Sequence, residues 1–83
     1  MQTVAQLLRL LDNTLNLEGR SASFNESTRL MGSVPELDSM GVVALLTAFE
    51  EQLGFSVDDD EVDGSIFETV GSLLTFVNGK LGA

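Results

Sequence analysis

Apolar residues recur at helical spacing in three stretches of the chain, and the spacing is lost between them. Val4, Leu7, Leu8, Leu11 and Leu15 fall on one stripe of a helix; Val42, Leu45, Leu46, Phe49 and Leu53 form a second stripe, and Val70, Leu73, Leu74, Val77 and Leu81 a third. Thr3, with Gln6 three positions later, makes a capping box for the first helix, which is predicted to run to about Leu15. From Asn16 to Val34 the pattern gives way to Gly, Ser, Asn and Thr, which predicts a long connecting loop anchored on the core by Phe24, Leu30 and Met31. Pro35 cannot lie inside a helix and biases Val34 toward extended backbone, so the second helix is predicted to open at Asp38 or Ser39 and to stop at Gly54.

Beyond Gly54, Asp58, Asp59, Asp60 and Glu61 form a run of like charge that packing could not bury, and an exposed loop is predicted there. A short helical turn is expected from Asp63 to Phe67, with Asp63 as its cap and Ile66 and Phe67 facing inward. Thr69 then caps the last helix, whose end is expected to fray at Asn78-Gly79. No strand pattern competes. The predicted fold is all-α, a small bundle of three longer amphipathic helices and one short one, organised as a single domain over residues 1–83.

Composition narrows the chemistry. The 83 residues include no cysteine and no histidine, so disulfides, thiolate nucleophiles, zinc sites and histidine-based triads have no material to be built from. Lys80 is the only lysine and stands far along the chain from most serines, which removes a Ser-Lys hydrolase. An enzyme acting alone is not expected. No apolar run approaches the length of a membrane span, and Met1 to Leu11 lacks the blocks of a signal peptide, so a soluble, monomeric, cytoplasmic protein with no membrane insertion is expected.

The net charge of −9 is unevenly placed. Up to Arg29 the acids Asp12, Glu18 and Glu26 balance Arg9, Arg20 and Arg29, whereas every charged residue beyond, apart from Lys80, is acidic. Such a field repels nucleic acid and anionic lipid and steers basic protein surfaces inward, although acidity alone also serves solubility.

Asp38-Ser39 opens the second helix directly after the Pro35 loop, so Ser39 is expected to face solvent. A phosphate esterified to a serine at that tip would meet unpaired N–H groups and the positive end of the helix dipole, while ordinary capping explains the dipeptide taken alone. On the face opposite the buried stripe lie Met40, Val43, Ala44 and Thr47, then Glu50 and Glu51. That face is either roofed by the 16–34 loop or left open as a docking surface edged with acid. Gly41 costs its helix about 1 kcal/mol relative to alanine, and either leaves room near Ser39 or is simply tolerated in a first turn; Gly71 raises the same question.

Glu36-Leu37-Asp38-Ser39-Met40, followed by an apolar helix ending in Phe49-Glu50-Glu51-Gln52-Leu53, resembles the D-S-L attachment motif and second helix of acyl carrier proteins. Phe67-Glu68-Thr69-Val70 with Leu73, Leu74, Phe76 and Val77 is similar to the family's short third helix and the start of its fourth. The resemblance implies that a phosphopantetheinyl transferase, using coenzyme A and magnesium, joins a 4′-phosphopantetheine arm to the Ser39 hydroxyl, with Asp38 as part of the motif the transferase reads. Acyl groups would then ride as thioesters on the arm, presented to acyl-loading and acyl-transferring enzymes with basic patches that dock on Met40, Val43, Ala44, Thr47, Glu50 and Glu51. It implies, too, that Leu46, Phe49, Ile66, Val70 and Leu74 part to shelter an acyl chain. Gly41, Ala44 and Met40 depart from the further acids and leucine common in fatty-acid-synthesis carriers, and the pattern is closer to specialised bacterial carriers that accompany exopolysaccharide and exosortase systems.

Three other readings stand beside this one. A peptidyl or aminoacyl carrier, including the D-alanyl type, shares the serine and the bundle. An interaction module would use Ser39 as an unmodified cap. Asp59-x-Glu61-x-Asp63-Gly64 with Ile66 fits the start of a calcium-binding EF-hand loop, but the twelfth position is Val70, which has no carboxylate to offer.

Overall fold

The structure is a computed structural model that describes residues 2–58 and 62–82. Its helices are α1 (Val4–Leu15), α2 (Ser39–Leu53) and α3 (Val70–Lys80), with short 3₁₀ turns at Arg20–Ser23 and Gly64–Phe67. The local signals account for where each begins. Thr3 and Gln6 exchange hydrogen bonds in the predicted capping box, at 3.2 Å to the Gln6 N–H and 2.9 Å to the Thr3 N–H. The Thr69 hydroxyl accepts from the Ser72 N–H at 3.0 Å while the Ser72 hydroxyl accepts from the Thr69 N–H, also at 3.0 Å, and Asp63 caps the second 3₁₀ turn by accepting from the Ser65 N–H at 2.8 Å. Gly54 ends α2 in the left-handed conformation that a side chain would strain.

Helix α1 packs against both other helices and so lies at the centre of the bundle. The core joins Leu7, Leu11 and Leu15 of α1 to Leu45 and Phe49 of α2 and to Phe67, Val70, Leu73 and Val77, with Leu17, Leu30, Val34 and Leu37 sealing it from the connecting loop. Burying a side chain of this kind contributes about 2 kcal/mol, so the loop supplies a substantial share of the apolar burial. Of the expected loop anchors, Leu30 is fully buried and Phe24 packs half-buried, whereas Met31 is 44% exposed. The buried face of α2 is also rotated from the predicted stripe. Gly41 and Ala48 are buried, whereas Val42, Leu46 and Leu53 are half-buried, because small residues let the helix seat closely on its neighbours.

The connecting loop is structured by two sets of bonds that apolar spacing does not reveal. Asp12, on the outer side of α1, accepts from the N–H groups of Gly19 (3.1 Å) and Ser21 (3.2 Å) and from the Ser21 hydroxyl (2.7 Å), which holds the first 3₁₀ turn against the helix. These donors, the Ser21 hydroxyl first, hold the Asp12 carboxyl below its ordinary value. Further on, Leu30 and Met31 donate to the carbonyls of Glu68 and Phe67, while Val70 and Gly71 donate to those of Thr28 and Glu26. This stitching, with an isolated antiparallel bridge between Arg29 and Thr69, gives the first amides of α3 acceptors that the helix itself lacks.

The last helix does not fray at Asn78-Gly79. It continues to Lys80, and Asn78 ties down the other end of the chain, accepting from the Gln2 N–H at 2.7 Å and donating to the Gln2 carbonyl at 3.1 Å. Of the acidic run, Asp58 is exposed; the expectations for Asp59, Asp60 and Glu61, and the calcium-loop reading that needs them, lie outside the described residues. Val70, the twelfth position of that reading, is wholly buried. Among the described residues, none group as a cluster of potential metal ligands.

Two expected outcomes follow from these contacts. A Cβ built on Gly41 would lie 2.3 Å from the Glu36 carbonyl oxygen, whereas one on Gly79 would meet nothing within 4 Å. Gly41→Ala is therefore expected to lower the melting temperature by about 5–10 °C despite alanine's better helix propensity, and Gly79→Ala to raise it by a few degrees, as thermal denaturation will show. A carboxyl depressed in the folded state contributes stability above its ordinary range and loses it as pH falls through the folded value. In thermal scans between about pH 6 and about pH 3, the native chain is expected to lose its advantage over Asp12→Asn below about pH 4.

Candidate functional site

The segment leading to Ser39 is built from the core outward. Leu30, Val34 and Leu37 are buried, and a tight turn is drawn around Pro35 by bonds from the Val34 N–H to the Leu30 carbonyl (2.9 Å) and from the Leu37 N–H to the Val34 carbonyl (3.0 Å). With Leu37 turned inward, Asp38 and Ser39 are exposed. Asp38 has extended backbone and is the N-cap of α2: its Oδ1 accepts from the Gly41 N–H at 2.9 Å and its carbonyl from the Val42 N–H at 2.9 Å. Ser39 is the first helical residue, with its side chain in solvent.

Ser39 and Met40 are left with backbone N–H groups that have no acceptor among the described residues. The contrast with α3 is physical. There the loop carbonyls of Thr28 and Glu26 occupy the first amides, whereas at α2 the corresponding donors point to water beside an exposed hydroxyl. Unaccepted N–H groups at the positive end of a fifteen-residue helix favour an anion on that hydroxyl, and the neighbouring Asp38 carboxylate is engaged by the Gly41 N–H. A phosphodiester fits here without displacing any hydrogen bond.

Gly41 answers neither of the two sequence readings. It is buried, and its missing side chain admits the Glu36 carbonyl and, at 3.2 Å from a built Cβ, the Leu15 side chain. Its function is to seat the preceding turn and α1 against the helix. Gly71 is similar: a Cβ there would lie 3.1 Å from the Glu26 carbonyl that its own N–H bonds.

The outward face of α2 is open. Met40 is 77% and Val43 61% exposed, Thr47, Glu50 and Glu51 are exposed, and Ala44 is half-buried, so the 16–34 loop does not roof this surface. The Glu50 carboxylate has a local partner, accepting from the Val57 N–H at 3.0 Å, and thus fastens the chain after α2. Of the residues expected to shelter an acyl chain, Phe49 and Val70 are fully buried, and Leu46, Ile66 and Leu74 pack half-buried against the core. Motif reading passed over one pair beside the site. Arg20, in the first 3₁₀ turn, donates from Nη2 to Glu36 Oε2, three residues before Ser39, and only opposite charge at a separation of 16 residues could have suggested it.

A scan against models of known protein families finds no match. Comparison with solved structures finds the solution structure of a holo acyl carrier protein from Nitrosomonas europaea, 47% identical to this chain, with a TM-score of 0.88 and 100% of each chain covered. That identity over the whole length far exceeds what a shared bundle topology alone would produce, and it agrees with an exposed serine at the open tip of α2. The chain belongs to the acyl carrier protein family.

Proposed function

We propose that this protein carries acyl groups as thioesters on a 4′-phosphopantetheine arm attached to Ser39, and presents them to enzymes that dock on the outward face of α2. The observation that carries the reading is the Ser39 hydroxyl, exposed at a helix tip whose first amides are unaccepted, in a chain 47% identical to a holo carrier. Attachment would form a bond between Ser39 Oγ and the β-phosphorus of coenzyme A, break the bond to the departing 3′,5′-ADP, and release the serine proton. The arm supplies the thiol that a cysteine-free chain lacks, while the helix tip holds the phosphodiester and leaves the arm free to swing.

The charge on α2 supports the docking part of this reading. Glu50 and Glu51 stand in the last turn of the helix, where negative charge opposes the dipole, and no base offsets them there. The bond from the Val57 N–H accounts for Glu50 but not for Glu51, whose charge suits an interface that draws in basic partners, with Met40 and Val43 supplying apolar contact once the partner arrives. Shelter for a long acyl chain would require Leu46, Ile66 and Leu74 to move apart, because they are packed in place.

Incubation with a promiscuous phosphopantetheinyl transferase, coenzyme A and magnesium, followed by intact-mass measurement, is expected to show one added arm on the native chain and none on Ser39→Ala. A native chain of unchanged mass sinks the carrier reading and leaves an interaction module. Under the same conditions Val43→Asp and Glu51→Lys are expected to reduce kcat/KM by about three- to tenfold without altering the melting curve, with the Glu51→Lys defect shrinking at high salt.

A further inference from the structure

Glu36 is held at two points. Its carbonyl presses into the space left by Gly41 in the first turn of α2, and its side chain grips Arg20. Arg20 is itself fixed, with Nε donating to the Leu17 carbonyl at 3.0 Å, and its 3₁₀ turn is tied to α1 through Ser21 and Asp12. A line of contacts therefore runs from the last turn of α1 to the residue three positions ahead of Ser39. The pair is not an ordinary surface bridge, since Glu36 Oε1 is buried with no hydrogen-bond partner while Oε2 takes the guanidinium. Surface bridges contribute little because water replaces either partner easily. A carboxylate with one oxygen shut away from water loses its remaining compensation when the cation goes, and must move outward to be hydrated. Outward movement of Glu36 carries its carbonyl away from Gly41 and opens the turn on which Asp38 and Ser39 are mounted.

We propose that Arg20 is a positioning residue: through Glu36 it fixes the turn that presents Ser39, without touching the serine. The functional consequence rests on the carrier reading above. The transferase meets a hydroxyl already in place, and loss of the pair leaves only a fraction of molecules in the competent arrangement, which raises apparent KM in proportion and leaves kcat alone.

Amide hydrogen exchange and modification kinetics on the full chain test this with Arg20→Gln, Glu36→Gln and the double variant. The Leu37 amide, bonded to the Val34 carbonyl, and the Gly41 amide, bonded to Asp38, are expected to exchange about tenfold faster in each variant, with the amides of Leu11 and Phe49 unchanged. Apparent KM for the carrier is expected to rise about threefold at constant kcat, and the double variant to be no worse than the poorer single one, because both residues act through one contact. Unchanged exchange at Leu37 and Gly41, a uniform rise across all amides, or additive losses in the double variant each overturn the proposal. If even the native chain is not modified, the carrier reading alone fails, and the exchange pattern still decides whether Arg20 sets the turn.

Discussion

The geometry around Ser39 depends on one close approach, that of the Glu36 carbonyl to the backbone of Gly41. A peptide carbonyl can sit against a helix this tightly only where no side chain stands in the way. The helix meets the cost of glycine in its first turn, about 1 kcal/mol, and gains a fixed junction between loop, α1 and α2 in return. Once that junction is set, Leu37 is directed into the core, Asp38 is left to cap, and Ser39 has nowhere to point but outward. Exposure of the serine is thus a consequence of what is buried on either side of it.

The two helix tips of the C-terminal part show how one fold can close one anion-favouring site and leave another open. The loop from Glu26 to Met31 lies along the start of α3 and gives its amides peptide carbonyls as partners. At α2 the loop arrives from the other direction and presents a side-chain cap to a single amide, Gly41, so the donors of Ser39 and Met40 remain outside. Both tips carry the same dipole. What separates them is the path of a loop with little regular structure of its own, which is why the loop belongs in any account of the site.

Much of this was legible in the residues. The capping box at Thr3, the caps at Asp38 and Thr69 and the left-handed stop at Gly54 are local chemistry and appear where expected, because each depends on neighbours within a few positions. What escaped was long-range or shape-dependent. The rotation of α2 toward Gly41 and Ala48 follows from close packing, which apolar spacing does not register, since it counts large side chains as the buried ones. Met31 and Leu30 are adjacent and equally apolar, and only the pairing of this segment with Phe67 and Glu68 decides which of them turns inward. Asn78-Gly79 is a common stop signal, overridden here by bonds to Gln2, 76 residues away in sequence. Asp12 and Arg20 read as solvated charges until the loop is folded back on α1.

The uneven charge of the chain acquires a meaning once the fold is known. All three arginines of the first third, Arg9, Arg20 and Arg29, are exposed, and Arg20 alone among them is paired with Glu36, close to the serine in sequence. With Glu36 paired, the acids left along α2 are Asp38 at its tip and Glu50 and Glu51 near its far end. On the proposed docking reading, a partner drawn by Glu50 and Glu51 would be guided along the helix, with Met40 and Val43 between it and the Ser39 tip, where the Asp38 carboxylate holds the Gly41 N–H. Arg20 would then hold the turn in shape while offsetting one of the two acids, Glu36 and Asp38, that closely precede Ser39.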